Sequence, residues 1–478
     1  MVDVGSNSVR MVVFEGGRRC PAIVFNEKVM CGLGADLHRT GRLSPDGIDC
    51  AIQALRRFVA LAPGLQVGAL AAVATAAVRN ASDGSLFCRR VVRETNIRLD
   101  VASGEDEARL AALGVLFGDP AADGLVVDLG GASMELCAIK GGKPGEAVSL
   151  PLGHLQFASL SRSKTETLIA DAFKALKGRL ADLGPTLYLV GGTWRALGRL
   201  QINRLDHPMP VLHEFAFSAG EAAALAVEAQ GSSPEALASK PGVSSNRVQA
   251  LPHAGLLLDQ LLQRFGPDRV AISGFGLREG VCFECLPAAI RRQDPLLSTC
   301  TGQERTRARA PGFGADLAAW LLAAIPAESP EEERLIRAAC HLSDVSWRAH
   351  PDYRAKACIE VVTRVNVSGV GHVGRAFIGA MLIARYKGGR RAMTDEPALQ
   401  LLDKAALDRA IALGAAMRLG ATLAGATPGF LPLCPLVLEG GTLRLSPTPE
   451  AEPIMGAEVS KRLSQAAKAL QLDWEIAA

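Results

Sequence analysis

Two stretches of this sequence carry an acid, a glycine and a serine in the same order. Residues 2–17, VDVGSNSVRMVVFEGG, align without gaps on residues 127–142, VDLGGASMELCAIKGG, at a constant offset of 125. The identical pairs are Val2/Val127, Asp3/Asp128, Gly5/Gly130, Ser8/Ser133, Gly16/Gly141 and Gly17/Gly142. A glycine turn after a buried strand brings bare backbone N–H groups close to a ligand, and neighbouring hydroxyls add donors, a combination suited to phosphate oxygens. An aspartate at the strand end suits Mg²⁺, held directly or through water against those phosphates. A single copy reads equally well as an ordinary hairpin. The duplication, with acid and glycine in register, points to a pair of loops that clamp phosphate from both sides of a cleft.

The elements that must position these residues follow from the apolar pairs Val4/Leu129, Met11/Leu136 and Phe14/Ile139, which make each copy strand, tight turn, strand and second turn. The chain thus reads as two related halves. Only Met1 and Val2 precede Asp3, whereas a strand ordinarily runs about five or six residues. We therefore expect the front of the first strand to be missing, through a misplaced start codon or a trimmed chain. An intact mass of the native protein beginning at Met1 would refute that.

A chain of 478 residues corresponds to roughly three domains of about 150 residues. With 49% hydrophobic and 21% charged residues it is globular, and a net charge of +3 argues against a surface that coats nucleic acid or anionic lipid. The apolar run 67–78 is too short for a membrane span of about 20 residues, and no secretory leader opens the chain, so the expected compartment is the cytoplasm. The eleven cysteines are scattered and read as buried thiols. Cys282 and Cys285, the one CxxC, lie in GVCFECL, which reads as an apolar helix rather than a redox loop.

The ordered motifs DVGSNSVR (3–10), TAAVRNA (75–81), SGEDEA (103–108), DLGGASMEL (128–136), SLPLG (149–153) and GGTWRAL (191–197) resemble the exopolyphosphatase and guanosine pentaphosphate phosphatase family. That family is part of the actin-like, sugar-kinase and Hsp70 ATPase superfamily. The resemblance covers about the first 300 residues. It implies an α/β fold of two ribonuclease-H-like domains, 1–124 and 125–300, with the active site between them, followed by an all-α HD-like domain over 301–478.

Carried over residue by residue, the resemblance makes Glu107 the catalytic glutamate, with Glu105 as the neighbouring alternative. It makes Glu135 the second essential glutamate, Arg79 a phosphate-gripping arginine and Asp128 the metal-associated aspartate. Gly5, Ser6, Asn7 and Ser8 would line the first phosphate loop, and Gly130, Gly131, Ala132 and Ser133 the second. Gly191, Gly192 and Thr193 correspond to a third glycine turn. Mg²⁺, with Mn²⁺ as the alternative ion, would be held near Asp3, Asp128 and Glu135. Taken alone, Ser103 followed by acids reads as a helix N-cap with dipole-complementing charges. Ala132 replaces the third glycine of the usual loop and is tolerated if its φ is negative.

Beyond about residue 300, polar connectors at 301–312 and 325–333 flank a helical segment, and apolar positions recur at helical spacing through 335–358 and 406–423. CHLSDVSWRAHPDYRA (340–355) resembles the family's HD-like domain, but His341 and Asp344 are not adjacent, so a degenerate domain without metal is expected. Arg305, Arg307 and Arg309, and then His372, Arg375, Arg385, Lys387, Arg390 and Arg391, form two basic stretches that read either as solvated faces or as guides for a long polyanion.

The expected reaction is processive hydrolysis of terminal phosphate from inorganic polyphosphate by a homodimer, with Glu107 activating water. A guanosine pentaphosphate 5′-phosphatase would share every catalytic residue. A sugar kinase or actin-like ATPase would hold Asp-Gly phosphate loops without needing Glu107, and a non-catalytic alarmone sensor remains the third class.

Overall fold

The computed structural model describes residues 1–15, 18–154, 157, 161–176, 178–365, 367–393 and 395–477. Gly16 and Gly17, members of two of the repeated pairs, lie outside the described residues. The chain divides into two units, residues 1–207 with 212–293, and residues 208–211 with 294–478.

The first unit is built on two mixed sheets. One contains β1 (Val2–Val4), β2 (Ser8–Phe14), β3 (Ile23–Met30), β4 (Ala72–Ala74) and β5 (Asp100–Val101), in the order β3-β2-β1-β4-β5. The other contains β6 (Gly124–Leu129), β7 (Met134–Lys140), β8 (Lys143–Leu150), β9 (Thr186–Val190), β10 (Phe215–Ser218) and β11 (Arg269–Ile272), in the order β10-β11-β9-β6-β7-β8. Each sheet opens with an antiparallel meander and continues in parallel strands, β1-β4-β5 in one and β6-β9-β11 in the other.

The sequence repeat is reproduced bond for bond. Asp3 stands opposite Arg10 and Val4 opposite Val9, while Asp128 stands opposite Glu135 and Leu129 opposite Met134. In both turns the glycine N–H donates to the serine carbonyl four residues into the motif, Gly5 to Ser8 and Gly130 to Ser133, at 3.0 Å each. The backbones are equivalent, but the cross-strand partner of the aspartate is a cation in one hairpin and an acid in the other. The apolar residues of both sheets pack into cores, one around Val4, Val9, Leu55 and Phe58, another around Leu129, Met134, Trp194 and Leu257.

Between the sheets run two helices, Gly104–Gly118 and Leu277–Cys285, which cross backbone to backbone at glycines. A Cβ on Gly280 would meet the Leu110 carbonyl oxygen at 1.8 Å, and one on Gly114 the Gly276 oxygen at 2.1 Å. Gly280→Ala is expected to force the pair apart and cost about 3 kcal/mol, the upper range for overpacking. Urea denaturation of the full chain reads this as a lower midpoint, and an unchanged midpoint would refute the close crossing. The far end of the Gly104–Gly118 helix is held by Arg19, whose fully buried guanidinium donates to the carbonyls of Phe117 at 2.8 Å and Leu116 at 3.3 Å. It also donates to the Arg291 carbonyl at 3.2 Å. Cys282 and Cys285 sit on the second helix as free thiols, with Cys282 pushed up to about 11 chiefly by burial.

The second unit is mainly helical, with helices at Pro330–Leu342, His372–Tyr386, Lys404–Leu423 and Ala457–Leu470 around one core. It is not all-α. β12 (Leu436–Glu439) and β13 (Thr442–Leu445) pair antiparallel across Gly440–Gly441, both at positive φ, and β14 (Asp473–Ile476) adds in parallel. The physical reason is in LVLEGGTLRL, alternating apolar runs around a Gly-Gly turn.

The second basic stretch is also corrected. His372 and Arg375 fall on the inner face of their helix, and Arg375, fully buried, donates to the carbonyls of Val362, Val365, Val367 and Val370. Arg391 has no described side chain. His341 holds Glu304 at 2.6 Å, and Asp344 takes two bonds from the Arg309 guanidinium, at 2.9 and 3.0 Å, and one from its backbone N–H at 3.3 Å. No helix among the described residues is long and apolar enough to cross a membrane.

Candidate active site

The two glycine turns open onto one cavity of about 830 Å³, lined by Ser6 from the first loop, by Gly131, Ala132 and Ser133 from the second, and by Arg79, Glu105 and Ser149. The carbonyls of the first loop are taken up by the segment after β3: Asn7 accepts from the Cys31 and Gly32 N–H groups at 3.0 Å, and Ser6 from Gly34 at 2.7 Å. The second loop is braced from behind. A Cβ on Gly153 would lie 2.2 Å from the Ala132 carbonyl carbon, so the SLPLG motif ends in the residue that leaves room for the loop. His154 adds its Nδ1 to the Gly130 carbonyl at 2.7 Å, and Ala132 is not among the residues at positive φ.

Glu107 lies on the first turn of the Gly104–Gly118 helix, and the N-cap reading of that segment holds. Ser103 caps the helix by accepting from the Asp106 N–H at 3.0 Å, which leaves the next carboxylate free to turn inward. Glu107 is 9% exposed and meets Arg79 Nη1 at 2.5 Å, whereas Glu105 is exposed on the cavity wall. Arg79 Nη1 also donates to the Ala102 carbonyl at 2.7 Å. Burial pushes the Glu107 carboxyl up to about 7, against the pull of Arg79 and with help from Asp128 and Asp3.

Glu135 is 3% exposed, accepts from Ser149 at 3.1 Å, and is raised well above the usual carboxylate range by burial and by Glu107 and Asp128. Asp128 is pushed up to about 6 by burial, with Arg195 opposing and Asp3 assisting. Asp3 is likewise raised by burial while Arg278 stands 3.7 Å away and opposes. Four carboxyl groups thus share one poorly solvated place. Among the described residues no three His, Cys, Asp or Glu side chains are gathered around one point. Asp3 faces a guanidinium and Glu135 a serine hydroxyl instead.

A family model for the Ppx/GppA phosphatase family matches residues 12–289, more than half of the chain. The chain belongs to the Ppx/GppA phosphatase family. A second model, exopolyphosphatase C-terminal, matches residues 298–472. Retrograde regulation protein 2 of Saccharomyces cerevisiae is 27% identical over 463 residues, covering 86% of this chain and 77% of that protein. Exopolyphosphatase 1 of Mycobacterium bovis is 34% identical over 156 residues, which is 32% of this chain and 45% of the mycobacterial protein. A crystal structure of the Aquifex aeolicus Ppx/GppA family member superposes with a TM-score of 0.52 at 27% identity, covering 59% of this chain and 94% of that one. The paired mixed sheets are the actin-like ATPase-type α/β fold of this family.

The third glycine turn of this Ppx/GppA chain is not on the cavity wall. Gly191, at φ 110°, leads into the Gly192–Arg204 helix, and a Cβ there would press on Asp128 Oδ1 at 2.9 Å. Thr193 is buried and accepts from Arg247 at 3.3 Å. Around this turn the fold gathers cations that sequence reasoning missed. Arg10 is pushed down to about 10 by burial and then by Arg278 and Arg195. Burial also lowers Lys28, Arg195 and Arg247, with neighbouring guanidinium groups adding to the effect at Lys28 and Arg195. Five cations, with Arg278, stand against Asp3, Asp128 and Glu279, a surplus that an anion would relieve. One signal was available, since Arg10 occupies the repeat position that Glu135 fills in the second copy.

Proposed function

We propose that this chain hydrolyses the terminal phosphoanhydride bond of inorganic polyphosphate, with Glu107 as general base. The observation that carries the reading is the Glu107 carboxyl itself, buried beside Arg79 under a cavity that both phosphate loops line, and poised near neutral pH. Glu107 takes a proton from water as the water oxygen attacks the terminal phosphorus. The bridging P–O bond breaks, and its oxygen leaves with the shortened chain. Backbone N–H groups of the two turns, together with Arg79 Nη2 and Nε, which bond no other described residue, face the charge that develops on the phosphoryl oxygens.

The donor set fits a largely hydrated Mg²⁺, or Mn²⁺. Such an ion is ordinarily held by one or two carboxylates together with substrate phosphates, and here Asp3 adds to the burial that raises Asp128, and Glu107 to the burial that raises Glu135, so added positive charge would be welcome. Asp3, Asp128 and Glu135 are the carboxylates near which it would sit, one or two of them bonding it. When bound it supplies positive charge to the phosphoryl oxygens.

The test is inorganic phosphate release from long-chain polyphosphate and, in parallel, from guanosine pentaphosphate, with Mg²⁺, with chelator and with Glu107→Ala. Release from the polymer that vanishes with chelator and with the substitution is expected. Release from the nucleotide alone would move the function to a 5′-phosphatase on the same residues. A second reading, a non-catalytic regulator, is favoured by the likeness to a yeast regulation protein over 86% of this chain. It predicts no release from either substrate. The HD-like character of residues 340–355, a cytoplasmic setting and a homodimeric state belong to the same proposal, the last tested by sedimentation.

A further inference from the structure

The second unit holds a cavity of about 1030 Å³, and its charge is one-sided. It lies where the C-terminal end of the His372–Tyr386 helix meets the Lys404–Leu423 and Ala457–Leu470 helices. Lys387, Lys404, Arg418 and Lys468 line it, and none of the four makes an ion pair among the described residues. The one acid in the wall, Asp408, is paired with Arg390, and Arg409 is turned to Glu332 at 2.8 Å. Ile411, Ala412 and Leu470 supply an apolar floor.

Two details make this a built place rather than a solvated face. Gly388 and Gly389 form a left-handed turn on the rim, φ 67° and 74°, and a Cβ on Gly388 would come within 3.0 Å of Arg418 Nη1. The turn's positive φ favours glycine here and lays bare backbone beside the Arg418 guanidinium. Behind Arg418 stand Arg385 and Arg462, whose Nε atoms are buried and bond no described residue. Arg462 is otherwise held by Glu458 and Gln465. Arg418 is depressed by burial and then by Arg462 and Arg385, which face it from the adjacent helices, with Glu458 opposing. Like charges packed this closely cost stability unless an anion joins them.

We propose that this cavity is a binding site for a compact anion carrying three or more phosphate groups, separate from the cleft of the first unit. The cations match the charge density of linked phosphates, and the apolar floor accommodates an uncharged moiety attached to them. The inference does not depend on Glu107 or on hydrolysis in the cleft.

The test uses the full chain carrying Glu107→Gln, with inorganic tripolyphosphate, ATP and long-chain polyphosphate as calorimetric titrants. We expect tripolyphosphate, ATP or both to fill a site that Lys404→Gln/Arg418→Gln/Lys468→Gln weakens at least tenfold while any cleft site persists. Preference for ATP would identify a nucleotide, and equal binding a bare phosphate chain. The triple variant should also melt higher than its parent without ligand, because repulsion is removed, a sign opposite to that of a structural role. Lys468→Glu alone, at an exposed position, should weaken the same site and controls for folding. Unchanged stoichiometry and affinity in both variants would overturn the proposal, and so would binding of the long polymer alone.

Discussion

Turnover by the wild-type chain should rise with pH through about 7, and Arg79→Gln should move that rise to higher pH. The sign follows from the pair. Glu107 works as a base only when ionised, and burial holds its carboxyl up near 7 while Arg79 pulls it down. Removing the guanidinium removes the pull, so the acidic limb of kcat/KM moves upward by about one unit or more. Glu107→Gln should lower kcat by about 10²–10⁴, the range for a lost general base, and flatten that limb. If the limb stays near 7 in Glu107→Gln, another group is the base. If Arg79→Gln weakens substrate binding but leaves the limb in place, Arg79 contacts only phosphate and does not tune Glu107.

Asp128→Asn should make the protein more stable and less active at the same time. The Asp128 carboxyl is raised from the ordinary range to about 6, so the folded state favours its neutral form. Stability from this group is present below the unfolded value near 4 and is lost as pH climbs through 6, on the order of 2 kcal/mol for a partly buried group. Asparagine resembles the neutral form at every pH. The variant should therefore match wild type at pH 4 and exceed it at pH 8 in denaturation midpoint. Mg²⁺ should raise the wild-type melting temperature at pH 8 by more than it raises that of Asp128→Asn. A variant less stable than wild type at pH 8 would mean that the cations around Arg195 need the carboxylate more than burial resists it.

The duplicated hairpin was legible because its backbone pattern is local. Gly5 to Ser8 and Gly130 to Ser133 close the same turn, and residues within four positions specify it. Glu107 was separable from Glu105 only through the resemblance, since SGEDEA caps a helix whichever acid turns inward. The cation group was not legible. Arg10, Lys28, Arg195, Arg247 and Arg278 come from five elements brought together by strand order and helix crossings, and no spacing in the chain announces that meeting. His372 and Arg375 were misplaced for a related reason: a count of basic residues ignores helical phase, which sends both inward. The small sheet of the second unit did have a local signal in its Gly-Gly turn, overshadowed by the helical periodicity on either side.

Arg19 clamps the end of the Gly104–Gly118 helix that is remote from Glu107. Ten residues separate Phe117 from Glu107, about 15 Å of helix. Between the two the helix is pinned again, where Gly280 and Gly276 meet Leu110 and Gly114. A tilt of about 5° about the clamped end would carry the Glu107 carboxylate by roughly 1 Å, a displacement large enough to change a rate by about a hundredfold. Those contacts resist such a tilt, so the place of the Glu107 carboxylate is set by backbone packing far from the cavity it lies beneath.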